Sequence, residues 1–475
     1  MEPITRASAK RGFPGVFSHL FPARNWAKPT ELPIRAVLSE PTWWSLPAST
    51  EIRCVPPLRD QDGDVDLTPL RENRQYRLLF GSGLVSGLGS AATFVAMPYQ
   101  VADITGSYVA VGVLGLLEIL PLVVFGLWGG VLADRLDRRM MVLVTETAFM
   151  FGVAVLLVNA WRGDGAEVWP IYVVAVLISV IDSLQRPSLD SIIPRVVAAH
   201  QMPAAGALNS FRGSTARMVG PAIGGFLIAL GGVEAAYLFD LATFVVSALL
   251  IFRLNRVPNV REEHGLPLDD LRQAFRYVRT RRDIMGTYIC DTLAMFFAFP
   301  FALFPFIAEQ YEATWSLGLM YAALSVGELI ASTTSRWAKR VNHHGRFVLF
   351  AGMAWGLAIA LSGLVDSIWW VVGCLVFAGA ADMVSGLFRM LIWNLTIPDE
   401  LRGRMAGMEL LSYSIGPQLG QVRASVTARL TSVRGSLVIG GLLCTGVVGS
   451  MRGALPELWN YDVRQHRGAT DSLRT

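Results

Sequence analysis

From Leu78 onward the chain alternates long apolar runs with short polar stretches. Apolar runs fall at about 78–101, 108–133, 140–161, 169–184, 205–230 and 235–254. A polar connection, 255–283, separates these from a second set at about 284–308, 315–335, 346–365, 368–393, 405–422 and 436–450. About 20 apolar residues in helical form cross the roughly 30 Å hydrocarbon core of a bilayer. Inside lipid the backbone must satisfy its own hydrogen bonds, so these runs predict helices. The expected fold is an all-α membrane protein with twelve transmembrane helices arranged as two six-helix halves, 74–254 and 284–452. The last two runs are the least regular: Gly416–Arg423 is polar and interrupted by Pro417, and Leu437–Gly449 is short for a span. Within 255–283, Leu268, Leu271, Ala274, Phe275 and Val278 alternate at helical spacing with Arg272, Arg276 and Arg279. That pattern predicts an amphipathic helix lying on the membrane surface and joining the halves.

Composition agrees with this pattern. The 475 residues are 53% hydrophobic and 16% charged, with mean hydropathy +0.45, whereas soluble domains carry about 25% charged residues. The net charge of +4 does not point to nucleic acid, because the arginines cluster in loops between apolar runs. None of the three lysines (Lys10, Lys28, Lys339) follows a glycine, so there is no phosphate-cradling Gly-Lys-Ser/Thr loop and no ATP is expected as partner. Cys54, Cys290, Cys374 and Cys444 lack metal or redox spacing, and all six histidines fall outside the apolar runs. No cofactor, no metal and no enzymatic activity are expected. Residues 1–73, rich in proline, arginine and acids, read as a disordered cytoplasmic tail, and 453–475 as a second tail. Basic residues concentrate in alternate loops, including Arg135, Arg138, Arg139, Arg195, Arg253, Arg336, Lys339 and Arg340. The opposite loops hold Asp103, Asp164, Glu167, Glu234, Glu309 and Asp366, with Arg162, Arg429 and Arg434 as exceptions. By the positive-inside rule both termini are cytoplasmic and the chain sits in the cell (inner) membrane.

The shortest loop carries a dense motif, Gly130-Val-Leu-Ala-Asp134-Arg135-Leu-Asp137-Arg138-Arg139. An internal repeat accompanies it. Asp182, Arg186-Pro187, Ile193-Pro194-Arg195 and Gly220-Pro221-Ala-Ile-Gly224 reappear about 200 residues later as Asp382, Arg389, Ile397-Pro398 and Gly416-Pro417-Gln-Leu-Gly420. The loop motif and its position resemble the loop between helices 2 and 3 of the major facilitator superfamily, with Asp137 where that pattern usually has a glycine. The resemblance implies two parallel six-helix repeats that rock about a central site. It also implies that Asp134 holds an inner gate, with nearby arginines and the start of helix 11 near Arg404–Gly407 as partners. The bland alternative is a basic anchoring loop.

Gly220-Pro221-Ala-Ile-Gly224-Gly225 resembles the Gly-Pro-x-x-Gly-Gly signature of superfamily antiporters, with tight helix packing as the alternative reading. The stretch Asp182–Asn209, together with Pro398–Arg404, resembles the enterobactin-exporter-like branch of bacterial efflux permeases. Ionisable residues within the spans are Glu118, Glu146, Asp182, Arg212, Arg217, Asp240, Asp291, Glu328, Asp382, Arg389 and Glu409. A charge at a helix centre costs about 2.5–3.5 kcal/mol on insertion scales, so most of these face the protein interior. Glu118, Glu146, Asp182, Asp382 and Arg389 are the candidate proton or substrate residues, the alternative being structural ion pairs with Arg186, Arg212 or Arg389. The phenylalanines at 296, 297, 299, 301, 304 and 306 offer either core packing or a wall for lipophilic cargo. The expected function is secondary, proton-driven efflux of a small lipophilic or siderophore-like molecule. The alternatives are an importer of the same fold and a transport-inactive membrane sensor.

Overall fold

The computed structural model describes residues 66–133, 138–255 and 267–464. The described chain is built of helices. Ten segments are long and apolar enough to cross a membrane. One of them, Met202–Phe252, holds two passes joined at Gly231 and Gly232, where the backbone leaves helical geometry and Gly232 takes φ +71°. Another crossing helix, Asp399–Leu430, is too polar to be counted among the ten. The twelve are α1 Arg74–Thr105, α2 Tyr108–Ala133, α3 Arg138–Ala160, α4 Val168–Val196 and α5 and α6 within Met202–Phe252. They continue as α7 Arg282–Ala298, α8 Ser316–Thr333, α9 His344–Ser362, α10 Ile368–Thr396, α11 Asp399–Leu430 and α12 Val433–Ala454.

Local chemistry sets several boundaries. The Asn73 side chain accepts from the backbone N–H groups of Gln75 and Tyr76 and starts α1. Gly106, at φ +58°, closes it in a left-handed cap. Two helices run further than their apolar runs suggest. α4 continues through Pro187 and Pro194 to Val196, and α11 continues through Pro417 for 32 residues. The eleventh and twelfth spans are therefore intact helices.

α7 ends early instead. Its helix stops at Ala298, a 3-10 turn covers Phe301–Leu303, and a short helix resumes over Phe304–Gln310. Pro300 and Pro305 have no N–H, so the carbonyls four residues before them, Phe296 and Phe301, lose their helical donors. Phe296 O is recovered by a side chain, Arg423 Nε donating to it at 3.3 Å; Phe301 O is taken up by the Phe304 backbone N–H in the 3-10 turn, with Tyr321 Oη as a second donor at 3.3 Å. Arg423, an unusual residue for a membrane span, also donates to Ser436 O at the start of α12. It is a brace for the broken helix.

The amphipathic linker helix forms over Pro267–Thr280, with Ala274 and Val278 buried and Phe275 exposed. Residues 455–464 pack back onto the bundle. Leu458 is fully buried against Gly286 and Gly345, Tyr461 Oη bonds Thr396 Oγ1, and Val463 N–H donates to Asn342 O.

The first six helices and the last six meet along two crossings, α2 on α11 and α5 on α8. The contacts are close at the end of the bundle that carries Gly106. A Cβ on Gly225 would lie 2.2 Å from Gly318 N, one on Gly112 2.7 Å from Ser425 Oγ, and one on Gly115 3.0 Å from Gln418 O. The rings of Tyr108 and Phe306 meet edge-on at 4.5 Å at the same end. Small residues let helix backbones approach where lipid supplies no hydrophobic drive.

Candidate functional site

Between the helices lies a cavity of about 360 Å³, lined by α1, α2, α3, α4, α5, α6, α8 and α11. That volume lies in the roughly 300–1,000 Å³ range of small-molecule sites. Its lining runs from Met97 and Pro98 near the joined end to Ser82 and Leu189 toward the other end. Five of the ionisable residues picked out in the spans, Glu118, Glu146, Asp182, Arg212 and Asp240, line it together.

Glu118, midway along α2, touches the opposite bundle: Gln418 Nε2 on α11 donates to its Oε2 at 2.7 Å. Gln421 Nε2 in turn donates to Gln418 Oε1 at 2.7 Å. Gly115, one turn before Glu118, is what admits Gln418 so close. Glu146 on α3 is 4% exposed; its Oε1 accepts from Gln185 Nε2 at 3.2 Å, and its Oε2 has no hydrogen-bond partner. Asp240 on α6 is 1% exposed and accepts from Thr93 Oγ1 at 2.5 Å. A carboxylate taken out of water is either paired, hydrogen-bonded or protonated, because an isolated buried charge is too costly. These acids are held mainly by amide and hydroxyl donors, an arrangement compatible with either protonation state.

Asp382 and Arg389 lie elsewhere. Arg389 pairs with Asp291 of α7 and stands 4.0 Å from Asp382. Asp291 also accepts from Ser412 Oγ of α11 at 3.2 Å. Arg389 thus ties α7 and α10 together, the structural role weighed against a substrate role. Asp382 lines a second cavity of about 340 Å³ with Arg217, Glu328, Phe299, Phe301 and Trp355. Of the six phenylalanines around α7, Phe299 and Phe301 face that cavity, and Phe304 is buried in the core.

Asp134 and Arg135 of the loop motif, with Asp137, lie outside the described residues, and Gly130 lies within α2. Arg138 is 5% exposed. Arg139 donates to the carbonyls of Ile251 and Phe252 and stacks its guanidinium 5.7 Å from the Phe252 ring. It caps the C-terminus of α6, where a cation is favoured. In the second motif, Gly220 and Gly224 face Ala91 and Ala92 of α1, and Gly225 faces Gly318 of α8. Pro221 lies beside the same contact: a Cβ on Gly318 would fall 2.3 Å from its carbonyl oxygen. The motif therefore packs one bundle internally and joins the two. Gln418, Gln185 and Tyr321 were not singled out by the sequence. The signal was present for Gln418, a polar residue in the polar stretch of α11, but it read as a defect in a span. Among the described residues no group of three or more His, Cys, Asp or Glu side chains could hold a metal ion.

Comparisons with known proteins agree with this architecture. Residues 65–469 match the family model described as transmembrane secretion effector. The chain is 26% identical over 389 residues to Enterobactin exporter EntS of Shigella boydii serotype 18, covering 81% of this chain and 93% of that protein, and equally so to its counterpart in Escherichia coli O1:K1. Among solved structures, the nucleoside transporter NupG superposes with TM-score 0.64 at 13% identity, covering 82% of this chain and 100% of the other. A bacterial homologue of the iron transporter ferroportin, solved in an inward-facing state, gives TM-score 0.61 at 14% identity, covering 79% and 98%. The chain is a multi-pass membrane transporter of the major facilitator superfamily and belongs to its transmembrane secretion effector family, in the enterobactin-exporter-like branch.

Proposed function

We propose that this chain exports a small lipophilic or siderophore-like molecule across the inner membrane, driven by proton influx. The observation that supports the reading best is the Glu118–Gln418 hydrogen bond, which joins a cavity acid of one bundle to a helix of the other. Proton and cargo then act on one group whose contact differs between the two access states, as coupling requires. The positive-inside rule puts the arginine-rich end in the cytoplasm. On that topology the Gly112, Gly115, Gly225 and Gly318 contacts seal the outer end, and the cavity faces inward, ready to load. Two of the three basic exceptions on the outer side are paired with acids, Arg162 with Glu167 at 3.2 Å and Arg434 with Asp366 at 2.6 Å.

The two halves, 74–254 and 284–452, rock about this site, with the 255–283 linker between them. Asp134, with Arg135, Arg138 and Arg139, forms the inner gate that must close for release outside, and the Gly220–Gly225 motif supplies the opposing seal. The test is accumulation in whole cells. Cells expressing the chain hold less of an exported dye or of enterobactin, and Asp134→Lys abolishes the difference. Higher accumulation on expression would make the protein an importer. Full export by Asp134→Lys would remove the gate.

A further inference from the structure

The outer surface of the second bundle carries a groove of about 370 Å³ between α8, α9 and α10, on the side away from the transport cavity. Alanines at 351, 354 and 380 make its floor, leaving a trough where larger side chains would fill the surface. Phe350 and Phe377 form its walls and are 54% and 58% exposed, so the trough opens toward the bilayer. Among the described residues its lining holds no charged side chain. From Phe347 to Ala354 it follows α9 for about 10 Å. One leaflet of hydrocarbon is about 15 Å deep, half of the bilayer core, so the trough spans most of one leaflet.

Its mouth, at Thr334 and Trp337, meets the 3-10 turn Ser335–Arg340 that joins α8 to α9. A half-exposed tryptophan suits a membrane–water interface. The turn exposes Arg336, Lys339 and Arg340, and Arg346 follows in the first turn of α9. Among the described residues no carboxylate pairs with any of these four, whereas Arg281, Arg282, Arg389, Arg434 and Arg464 each have an acid partner. Arg346 stands instead 5.3 Å from the ring of Trp459, which meets the groove wall at Phe350 edge-on at 5.6 Å. Its Nε has no hydrogen-bond partner. Asp462, 3.9 Å from His343 of the same loop, is already bound by Arg464.

The sequence sharpens the contrast. The matching loop of the first half, 134–139, sets Asp134 and Asp137 among its arginines, whereas 329–365 contains no acid. The positive-inside rule accounts for basic residues at this end but not for an apolar trough leading up to them. A trough open to lipid that ends at an unpaired basic loop is complementary to an acyl chain carrying an anionic head.

We propose that this groove binds an anionic phospholipid of the cytoplasmic leaflet, with one acyl chain between Phe350 and Phe377 and the phosphate among Arg336, Lys339 and Arg340. The site is independent of what the chain transports and of how transport is driven.

The test is photolabelling of the purified full-length protein in phosphatidylcholine nanodiscs. The probes are trace phosphatidylglycerol and trace phosphatidylcholine with the same diazirine-bearing acyl chain. Labelling is mapped by peptide mass spectrometry and normalised to 238–249, an exposed apolar stretch of α6. Phosphatidylglycerol should label 347–354 and 377–384 at least about fivefold more than phosphatidylcholine does. The triple variant Arg336→Gln, Lys339→Gln, Arg340→Gln changes only exposed side chains and should bring the two probes level, while Arg336→Lys with Arg340→Lys keeps the preference. Ala354→Phe fills the trough and should lower labelling of 377–384 by either probe about fivefold. Excess glycerol 3-phosphate should displace nothing; displacement would mean that a soluble phosphate binds the loop without the groove and would overturn the proposal. Equal labelling by the two probes, or a phosphatidylglycerol preference that survives the triple variant, would also overturn it. So would groove peptides untouched by either probe, the result expected if a second copy of the chain covers this face.

Discussion

Replacing Gly225 with alanine tests whether the α5–α8 contact holds the two bundles together at one end. The added Cβ would sit 2.2 Å from Gly318 N and 2.5 Å from Gly318 Cα. Carbon contacts settle at about 3.5–4.0 Å, so the helices must part by about 1 Å or more. Both obstacles are backbone atoms, and no rotamer change relieves them. The same crowding holds in reverse, since a Cβ on Gly318 would meet Pro221 O at 2.3 Å. Overpacking of this kind costs about 1–3 kcal/mol. The cost falls only on the state in which this end is joined, so it biases the access equilibrium by about 5- to 150-fold toward the other state. Helix propensity works in the opposite sense, favouring alanine over glycine by about 0.8–1 kcal/mol, so weakened α5 cannot explain a loss. Spin labels at Asp164→Cys and Asp366→Cys, on loops of the two bundles at this end, report the separation by electron–electron dipolar spectroscopy after the native cysteines are replaced. The distance distribution should shift to longer values in Gly225→Ala. Gly446→Ala is the control, because a Cβ there meets nothing within 4 Å. An unchanged distribution in Gly225→Ala would refute the reasoning.

Three further outcomes follow from named contacts. Arg423→Met removes the donor that Phe296 O needs at the α7 break and should destabilise the protein by about 1–3 kcal/mol in an unfolding titration, with Arg423→Lys recovering part of the loss; wild-type stability in the Met variant would mean that water satisfies the carbonyl. Gln418→Leu removes the bond to Glu118 while keeping the volume, and should lower proton-driven transport more than it lowers thermal stability; full transport would show that Glu118 does not act through this contact. Asp462, beside Arg464 and His343 at the packed C-terminal turn, is held down to about 2 by the neighbouring guanidinium. A depressed carboxyl contributes stability above its unfolded value and loses it as pH falls, so the protection factors of amides 455–464, each rate divided by the intrinsic rate at the same pH, should be high at neutral pH and fall as pH drops from about 4 toward 2; protection that is flat over that range would contradict the assignment.

Much of the fold was legible because a bilayer allows few solutions. Apolar runs of sufficient length, separated by short charged loops, leave little besides helices, and the repeat of Asp182 through Gly224 in Asp382 through Gly420 announced two similar bundles. Misjudged extents trace to residues whose effect depends on neighbours. The apolar run 169–184 stops short of Pro187 and Pro194, and Pro417 interrupts the eleventh run, yet α4 and α11 run through all three. Pro300 does end a helix, because Arg423 on another helix is placed to take up the carbonyl it frees. The polar character of α11 looked like a fault in a span; Gln418 and Gln421 instead face α2 across the narrow gap left by Gly115.

The cavity acids were legible as ionisable residues in apolar runs, but their grouping was not. Glu118, Glu146, Asp182 and Asp240 come from four helices and meet only in the assembled bundle. Arg389 illustrates the opposite case: its charge in a span drew attention as a possible site, and its ion pair with Asp291 makes it a tie between helices. Arg139 likewise sits in a motif read as a gate, and its own contacts cap α6.

The most direct test of coupled export uses inverted membrane vesicles carrying the full chain. An imposed gradient, acidic inside, is established, and uptake of enterobactin and of tetraphenylphosphonium is followed with wild type and Glu118→Gln. Gradient-dependent accumulation by wild type, lost in the variant, is the predicted result. Accumulation that ignores the gradient, or that survives intact in Glu118→Gln, would contradict proton coupling through this residue.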